Sequence, residues 1–101
     1  MVIEHVTLVV APERREEFER DAIPRGREIL QALGARSVVV ARGMEDPSSY
    51  LLLVEWDSVN AHLAVVDDPD LAQFREWADG FYAAPPAAGH FERVAGATWL
   101  A

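Results

Sequence analysis

The sequence contains no cysteine and no lysine among its 101 residues. Without cysteine, the chain has no disulfide, no cysteine–zinc site and no thiol nucleophile. All nine basic residues are therefore arginines, and 17 acidic residues give a formal net charge of -8. Because nucleic acids and anionic membranes are bound through patches of positive charge, this balance argues against both kinds of partner.

Long apolar runs are also missing from the sequence. No stretch reaches the ~18 consecutive apolar residues that a membrane-spanning helix needs. The first apolar segment is interrupted by Glu4 and His5, and it lacks the basic start of a signal peptide. We therefore expect a cytoplasmic protein without a membrane span.

The sequence does contain a large apolar fraction, 50% of all residues, which excludes a disordered chain. A chain of this length buries only about two thirds of the surface that its unfolded form exposes. We therefore predict a single domain over residues 1–101 that completes its burial by self-association.

Strand character appears in four segments, which are residues 2–10, 35–43, 50–56 and 90–100. In the first segment, alternation places Val2, Glu4, Val6, Leu8 and Val10 on one face and Ile3, His5, Thr7 and Val9 on the other. Both faces are largely apolar, which predicts a strand that is covered on both sides.

Helical spacing of apolar residues appears twice between these strands. In the first stretch we expect Pro24 to kink or split the helix and Gly34 to end it. The second stretch begins directly after strand three, with Asp57 or Ser58 as the cap of a short helix that runs to about residue 66.

A further amphipathic helix follows, with Asp70 as its expected cap and the sequence LAQFREWADGFY as its body. The segment AAPPAAG is expected to end this helix and to link it to the last strand. The acidic cluster DDPD before the helix lacks the spacing of a calcium loop, so we assign it to a turn and a cap.

The predicted order β-α-β-β-α-β is the ferredoxin-like pattern, an α+β fold with both helices on one face of an antiparallel sheet. Because the strands are apolar on both faces, the face without helices needs a cover. We expect a second copy of the chain there, which gives a dimeric α+β barrel held through the open sheet face and the C-terminal strand, with Trp99 in the contact.

The segments YLLLVEWDSVNAH, DLAQFREW and GHFERV resemble the antibiotic biosynthesis monooxygenase family, and the resemblance runs from about Val2 to Val94. It implies a homodimer with a pocket between sheet and helices in each subunit. Some members oxidise polycyclic phenols to quinones with O₂ and neither metal nor flavin, and others degrade haem. The expected haem-ligand position lies near Arg75 and carries no histidine, which argues against haem degradation.

Cofactor-free oxygenation requires an electron-rich substrate, a base, hydrogen-bond donors and an apolar cavity. We assign the catalytic role to His62, Asn60 and Trp56, with His62 first. If Ser58 is the cap, His62 is the fourth helical residue, where the helix dipole keeps the imidazole neutral and able to act as a base. The alternative is a partly buried histidine with a structural hydrogen bond only.

Seven further residues are predicted to bind the substrate, and these are His5, Tyr50, Phe74, Trp77, Phe81, Tyr82 and His90. Each also has a structural interpretation as core residue, surface residue or dimer contact. We expect no metal and no cofactor.

These observations favour a cofactor-independent monooxygenase that acts on an aromatic or polyketide-like small molecule. The sequence leaves open a dimeric domain that binds an apolar small molecule without catalysis, or a stress-related barrel protein.

Overall fold

The computed structural model describes residues 1–94, and they form an antiparallel sheet with helices on one face. The strands are β1 (Val2–Val10), β2 (Ser37–Arg42), β3 (Ser49–Trp56) and β4 (Tyr82–Glu92), in the spatial order β2-β3-β1-β4. The helices are α1 (Ile23–Ala32), α2 (Val59–Leu63) and α3 (Pro69–Ala78). The predicted α+β, ferredoxin-like fold is confirmed.

The chain between β1 and α1 is helical but irregular, as Pro24 predicts. A 3₁₀ turn (Pro12–Arg14), one α-turn (Arg15–Glu17) and a π-helical segment (Phe18–Ala22) precede α1. Pro24 has no N–H to donate to the preceding turn, so the regular helix α1 begins only at Ile23, with Pro24 in its first turn. Gly34 follows α1 with φ of +111°, a backbone conformation that favours glycine at a helix end.

The two later helices, α2 and α3, each begin at a side chain that caps the helix. The Ser58 side chain accepts a hydrogen bond from the Ala61 N–H at 3.0 Å, as predicted. The prediction of Asp70 as the next cap is wrong, because Asp68 Oδ1 accepts from the backbone N–H groups of Asp70 and Leu71. Pro69 takes the first helical position, where its missing N–H costs nothing. Both helices end earlier than predicted, and a 3₁₀ turn (Asp79–Phe81) separates α3 from β4.

The last strand starts earlier than predicted. We expected AAPPAAG to be a linker, but β4 begins at Tyr82 and includes this segment, paired with β1. β4 is at the edge of the sheet, and Pro85 and Pro86 lie where its register with β1 shifts, between the pairs Val9–Ala84 and Thr7–Ala87. Edge strands and bulges are the places in a sheet that tolerate proline. The rest of the predicted strand, with Gly96 and Trp99, lies outside the described residues.

The two faces of the sheet differ in cover. Val6, Leu8 and Val10 of β1 are buried under the helices together with Tyr50 and Phe81. The opposite face carries apolar side chains that remain open to solvent, among which Val39 is 51% and Phe91 50% exposed. Within residues 1–94, the helices are too short or too polar to cross a membrane.

Candidate functional site

A cavity of about 240 Å³ lies between the sheet and the helices. Its apolar wall includes Leu52 from β3, Leu30 from α1 and Phe74 from α3. Its polar lining consists of Glu4, His62, Arg75, Asp79 and Tyr82. A mostly apolar cavity with a few convergent polar groups is the usual form of a small-molecule site.

Two wider depressions, of about 540 and 420 Å³, lie on the surface. The first is lined by charged residues near the start of the helical segment and the second by the edge strand β4. Neither is lined by a histidine, whereas the smaller cavity has a histidine next to a carboxylate in a mostly apolar lining.

Glu4 is a carboxylate on the helix-covered face of β1. Its side chain is 15% exposed, and Oε1 accepts a hydrogen bond from Trp56 Nε1 at 3.0 Å. The two residues meet because β1 and β3 are paired antiparallel with Glu4 opposite Val54, one alternation step from Trp56. Trp56 itself is 1% exposed, so this hydrogen bond fixes the carboxylate against a rigid core residue.

His62 lies over Trp56 and beside Glu4. Its ring stacks on the indole, with centroids 4.9 Å apart and planes 12° apart. Its Nε2 lies 3.4 Å from Glu4 Oε1, and its side chain is 12% exposed. The position follows from the local sequence, because the Ser58 cap starts α2 two residues after Trp56 and brings the next turn back over the strand end.

His90 approaches the same cluster from β4. It pairs directly with Glu4 in the β1–β4 register, so both side chains lie on the same face of the sheet. His90 Nε2 lies 2.7 Å from His62 Nδ1, which is hydrogen-bond distance. Glu4, His62 and His90 thus form a continuous polar chain that ends at the exposed His90.

Burial lowers the pKa of His62 from its ordinary value. The Glu4 carboxylate opposes this shift, while the charges of His90 and Arg75 add to it. The lowered pKa keeps the imidazole neutral at neutral pH, so one ring nitrogen carries a proton and the other accepts one.

Tyr82, Asp79 and Arg75 supply the other polar groups of the cavity. Burial, with the negative charge of Asp79, raises the pKa of Tyr82 to about 12, so its hydroxyl stays protonated and can donate a hydrogen bond. Arg75 Nη2 donates to the Val66 carbonyl, and this bond places the guanidinium at the cavity wall.

The size of the cavity depends on the close approach of α1 and α3. A Cβ atom built at Gly26 would lie 2.8 Å from the Phe74 ring, so a larger residue would displace the ring. Glycine at this position lets Phe74 pack against α1, and any side chain here would push an aromatic ring that lines the cavity.

The structure brings together some of the predicted site residues and not others. Five are at or around the cavity, and these are Trp56, His62, Phe74, Tyr82 and His90. Asn60 is exposed on α2 and is absent from the cavity lining. His5 lies on the opposite face of the sheet against Phe91, with ring centroids 5.5 Å apart.

Three further predicted residues pack outside the cavity. Tyr50 is buried in the core and donates its hydroxyl to Glu19 Oε2 at 2.6 Å; burial, with this bond, raises its pKa to about 12. Phe81 is fully buried beside Trp77, which is 37% exposed. Tyr50 and Phe81 belong to the core cluster.

Sequence reasoning missed Glu4, Arg75 and Asp79 as cavity residues. The sequence does indicate a special role for Glu4, since it shares a strand face with Val2 and Val6, and a carboxylate is rarely found on a buried face. Arg75 was indicated only by the family resemblance, as the position of a haem ligand, and Asp79 had no signal, because charged residues are ordinary on the outside of a helix. Within residues 1–94, the structure brings together no group of three or more histidine, cysteine or acidic side chains that could hold a metal ion.

The fold closely matches several solved structures. A protein from Bordetella bronchiseptica, described as an antibiotic biosynthesis monooxygenase, is 26% identical with a TM-score of 0.84, over 93% of this chain and 97% of that one. SnoaB from Streptomyces nogalater, described as a cofactor-independent oxygenase, is 15% identical with a TM-score of 0.84, over 95% of each chain. A Deinococcus radiodurans protein is 19% identical with a TM-score of 0.77, over the whole of both chains.

The sequence comparisons agree with the structural ones on the family. No curated protein matches the chain closely enough to count as a relative. The sequence profile of antibiotic biosynthesis monooxygenases matches residues 1–77, a span that includes Glu4, Trp56 and His62. The chain therefore belongs to the antibiotic biosynthesis monooxygenase family.

Proposed function

We propose that the chain is a monooxygenase that oxidises a small hydroxylated aromatic compound to a quinone, with all electrons supplied by the substrate. The observation that carries the proposal is the pair Glu4 and His62, a carboxylate and an imidazole 3.4 Å apart at the wall of an apolar cavity. Family membership supports oxygenation, and the description of SnoaB as cofactor-independent supports the absence of a cofactor.

The size of the cavity favours a substrate with one or two rings. Its volume of about 240 Å³ is below the range of roughly 300–1,000 Å³ that holds drug-sized ligands. The apolar residues Leu30, Leu52 and Phe74 suit the ring, and the polar groups suit its hydroxyl. We therefore choose α-naphthol as the first test compound.

The proposed reaction starts with loss of the hydroxyl proton. Glu4 accepts this proton, and the His62 N–H donates a hydrogen bond to the phenolate oxygen that results. The phenolate transfers electrons to O₂, and a C–O bond forms at the ring carbon opposite the hydroxyl. A proton from His62 converts the peroxide anion into a hydroperoxide.

The second half of the reaction breaks the O–O bond. Glu4 removes the hydrogen of the oxygenated ring carbon as a proton, and a second C=O bond forms at this carbon. The outer oxygen departs as hydroxide, which takes a proton from His62 and becomes water. The ring loses four electrons and O₂ gains four, with one oxygen atom in the quinone and the other in water. No external reductant is therefore needed.

The test is oxygen uptake by the purified protein with α-naphthol. We expect uptake with naphthoquinone as product, and a loss of about 100-fold or more in His62→Ala, the range of general acid–base groups. The control is His5→Ala, the same substitution on the opposite face of the sheet, and its activity should stay within about twofold of the unmutated protein. Absence of uptake over a panel of one- and two-ring phenols, or full activity in His62→Ala, contradicts the proposal.

The second candidate function is binding of an apolar small molecule without catalysis, which the apolar lining of the cavity favours equally. Native mass spectrometry of the purified protein decides between the two. A retained compound without oxygen uptake supports binding alone, whereas turnover of α-naphthol supports the enzyme.

We also propose that the chain forms a cytoplasmic homodimer through the open face of its sheet. Val39 and Phe91 leave apolar surface exposed there, and two such faces can pack at about 10 Å. Equilibrium ultracentrifugation should give twice the chain mass. Val39→Glu should shift the equilibrium toward the monomer, because the dimer would bury an unpaired carboxylate; a monomer at micromolar concentration in the unmutated protein overturns the proposal.

A further inference from the structure

We propose that His90 and His62 form a proton relay between solvent and the cavity, with His90 as the solvent end. The relay rests on the proposed function, because it supplies the protons of that reaction. His90 does not line the cavity, so it is a positioning and proton-transfer residue that acts through His62 and does not touch the substrate.

The geometry of the chain of groups carries this inference. His90 is exposed, its Nε2 lies 2.7 Å from His62 Nδ1, and His62 Nε2 lies 3.4 Å from Glu4 Oε1. His62 therefore uses both ring nitrogens, one toward the exposed histidine and one toward the cavity carboxylate. An imidazole with both nitrogens in such contacts can accept a proton at one and release a proton at the other.

The resting arrangement of protons follows from the charge of Glu4. If His62 carried its proton on Nδ1, the Nε2 lone pair would face the carboxylate, and the two negative ends would repel. With the proton on Nε2, His62 points an N–H at Glu4, and its Nδ1 accepts the N–H of His90 Nε2. The lowered pKa of His62 keeps Nδ1 free for this bond at neutral pH.

The relay can carry a proton from solvent to the cavity or from the cavity to solvent, and the two directions must alternate. When His62 gives its Nε2 proton to the substrate oxygen, the proton of His90 Nε2 moves to His62 Nδ1 and solvent protonates His90 Nδ1. His62 Nε2 is then bare, and it can take the substrate proton that Glu4 holds. The one proton shared between the histidines then shifts back from His62 Nδ1 to His90 Nε2, and His90 Nδ1 releases a proton to water.

This alternation matches the proton sequence of the proposed reaction. The substrate loses its hydroxyl proton, gains one on the peroxide, loses one from the ring carbon and gains one on the departing oxygen. Each removal is thus followed by a delivery, so the relay returns to its resting state after each such pair. The charges of Glu4, His90 and Arg75 act on His62, and of these three groups His90 is the one that connects His62 to solvent in the relay.

The hydrogen bond between the histidines can be tested without substrate. In protein labelled with nitrogen-15 and held above neutral pH, we expect a coupling across the hydrogen bond between His90 Nε2 and His62 Nδ1. His5, which lies on the opposite face of the sheet against Phe91, is the internal reference. Absence of the coupling overturns the relay whether or not the protein is an enzyme.

The transfer of protons is tested by chemical rescue of His90→Ala. We expect kcat for α-naphthol to fall about tenfold or more, with KM within about twofold of the unmutated value. Free imidazole in the buffer should restore kcat, because it can take a proton at one nitrogen and release one at the other. N-methylimidazole has only one nitrogen that exchanges protons, so it should restore kcat much less.

Two results of the rescue experiment overturn the relay. One is an unchanged kcat in His90→Ala, and the other is equal recovery with imidazole and N-methylimidazole, which would indicate that only the ring volume matters. If α-naphthol gives no oxygen uptake, the proposed function fails, while the coupling across the hydrogen bond still decides the geometry of the relay.

Discussion

Glu4→Gln should lower kcat for α-naphthol oxidation by about 100-fold or more, which is the range for a general base. Glutamine has nearly the same shape and can still accept the Trp56 N–H bond, so the variant removes the charge and the basicity alone. Oxygen uptake and quinone absorbance measure the effect. Glu55→Gln is the matched control, because Glu55 pairs with Ile3 on the opposite face of the sheet and should keep its activity.

The same variant should change the pH dependence through His62. Glu4 is the charge that raises the pKa of His62 against the effect of burial, so its removal lowers that pKa further. In the unmutated protein, turnover should fall as pH decreases through the His62 pKa, which lies below its ordinary value, because protonation of Nδ1 breaks the bond from His90. In Glu4→Gln this acid limb should move to lower pH.

Stability measurements provide a check that needs no substrate. Since the folded pKa of His62 is depressed, the unfolded chain binds the proton more readily, and stability decreases as pH falls from the ordinary histidine value through the folded pKa. In Glu4→Gln the decrease should continue to lower pH. An acid limb and a stability profile that do not move in Glu4→Gln would contradict the assigned coupling of Glu4 and His62.

The sequence predicts the fold well where patterns are local. Alternation in β1 assigns Val6, Leu8 and Val10 to one face, and all three are buried there. The failure at β4 has a physical reason. The sequence pattern predicts a break at Pro85 and Pro86, but an edge strand tolerates prolines where its register shifts. Which strand lies at the edge depends on the whole topology.

The site shows the same division between local and long-range information. The position of His62 over Trp56 follows from a strand end and a cap two residues later, and the sequence carries both. The meeting of Glu4 and His90 depends on the register of β1 with β4, which joins residues far apart in the chain. The sequence therefore predicts His62 as a catalytic residue and His90 as a further site residue, but not the contacts that join them to each other and to Glu4.

Trp56→Ala should destabilise the protein by about 3–5 kcal/mol, the usual cost of truncating a buried tryptophan. Trp56 is 1% exposed and packs with Val54 and Val2, so the substitution leaves a large cavity. The midpoint of thermal unfolding should fall by roughly 12 °C or more for a chain of this size, measured at constant protein concentration because of the proposed dimer. Trp77→Ala is the control, and its half-exposed ring should cost clearly less.

Trp56→Phe separates the two roles of this residue. Phenylalanine keeps an aromatic ring beneath His62 and most of the packing, but it lacks the N–H that holds Glu4 Oε1 at 3.0 Å. We expect the variant to fold and form the same assembly, with a stability loss of about 1–3 kcal/mol for a lost bond to a charged group. Its kcat should fall about tenfold, because the carboxylate is no longer fixed beside His62. Equal activity of Trp56→Phe and the unmutated protein would show that the ring alone positions the site, and Glu4 would then need no anchor.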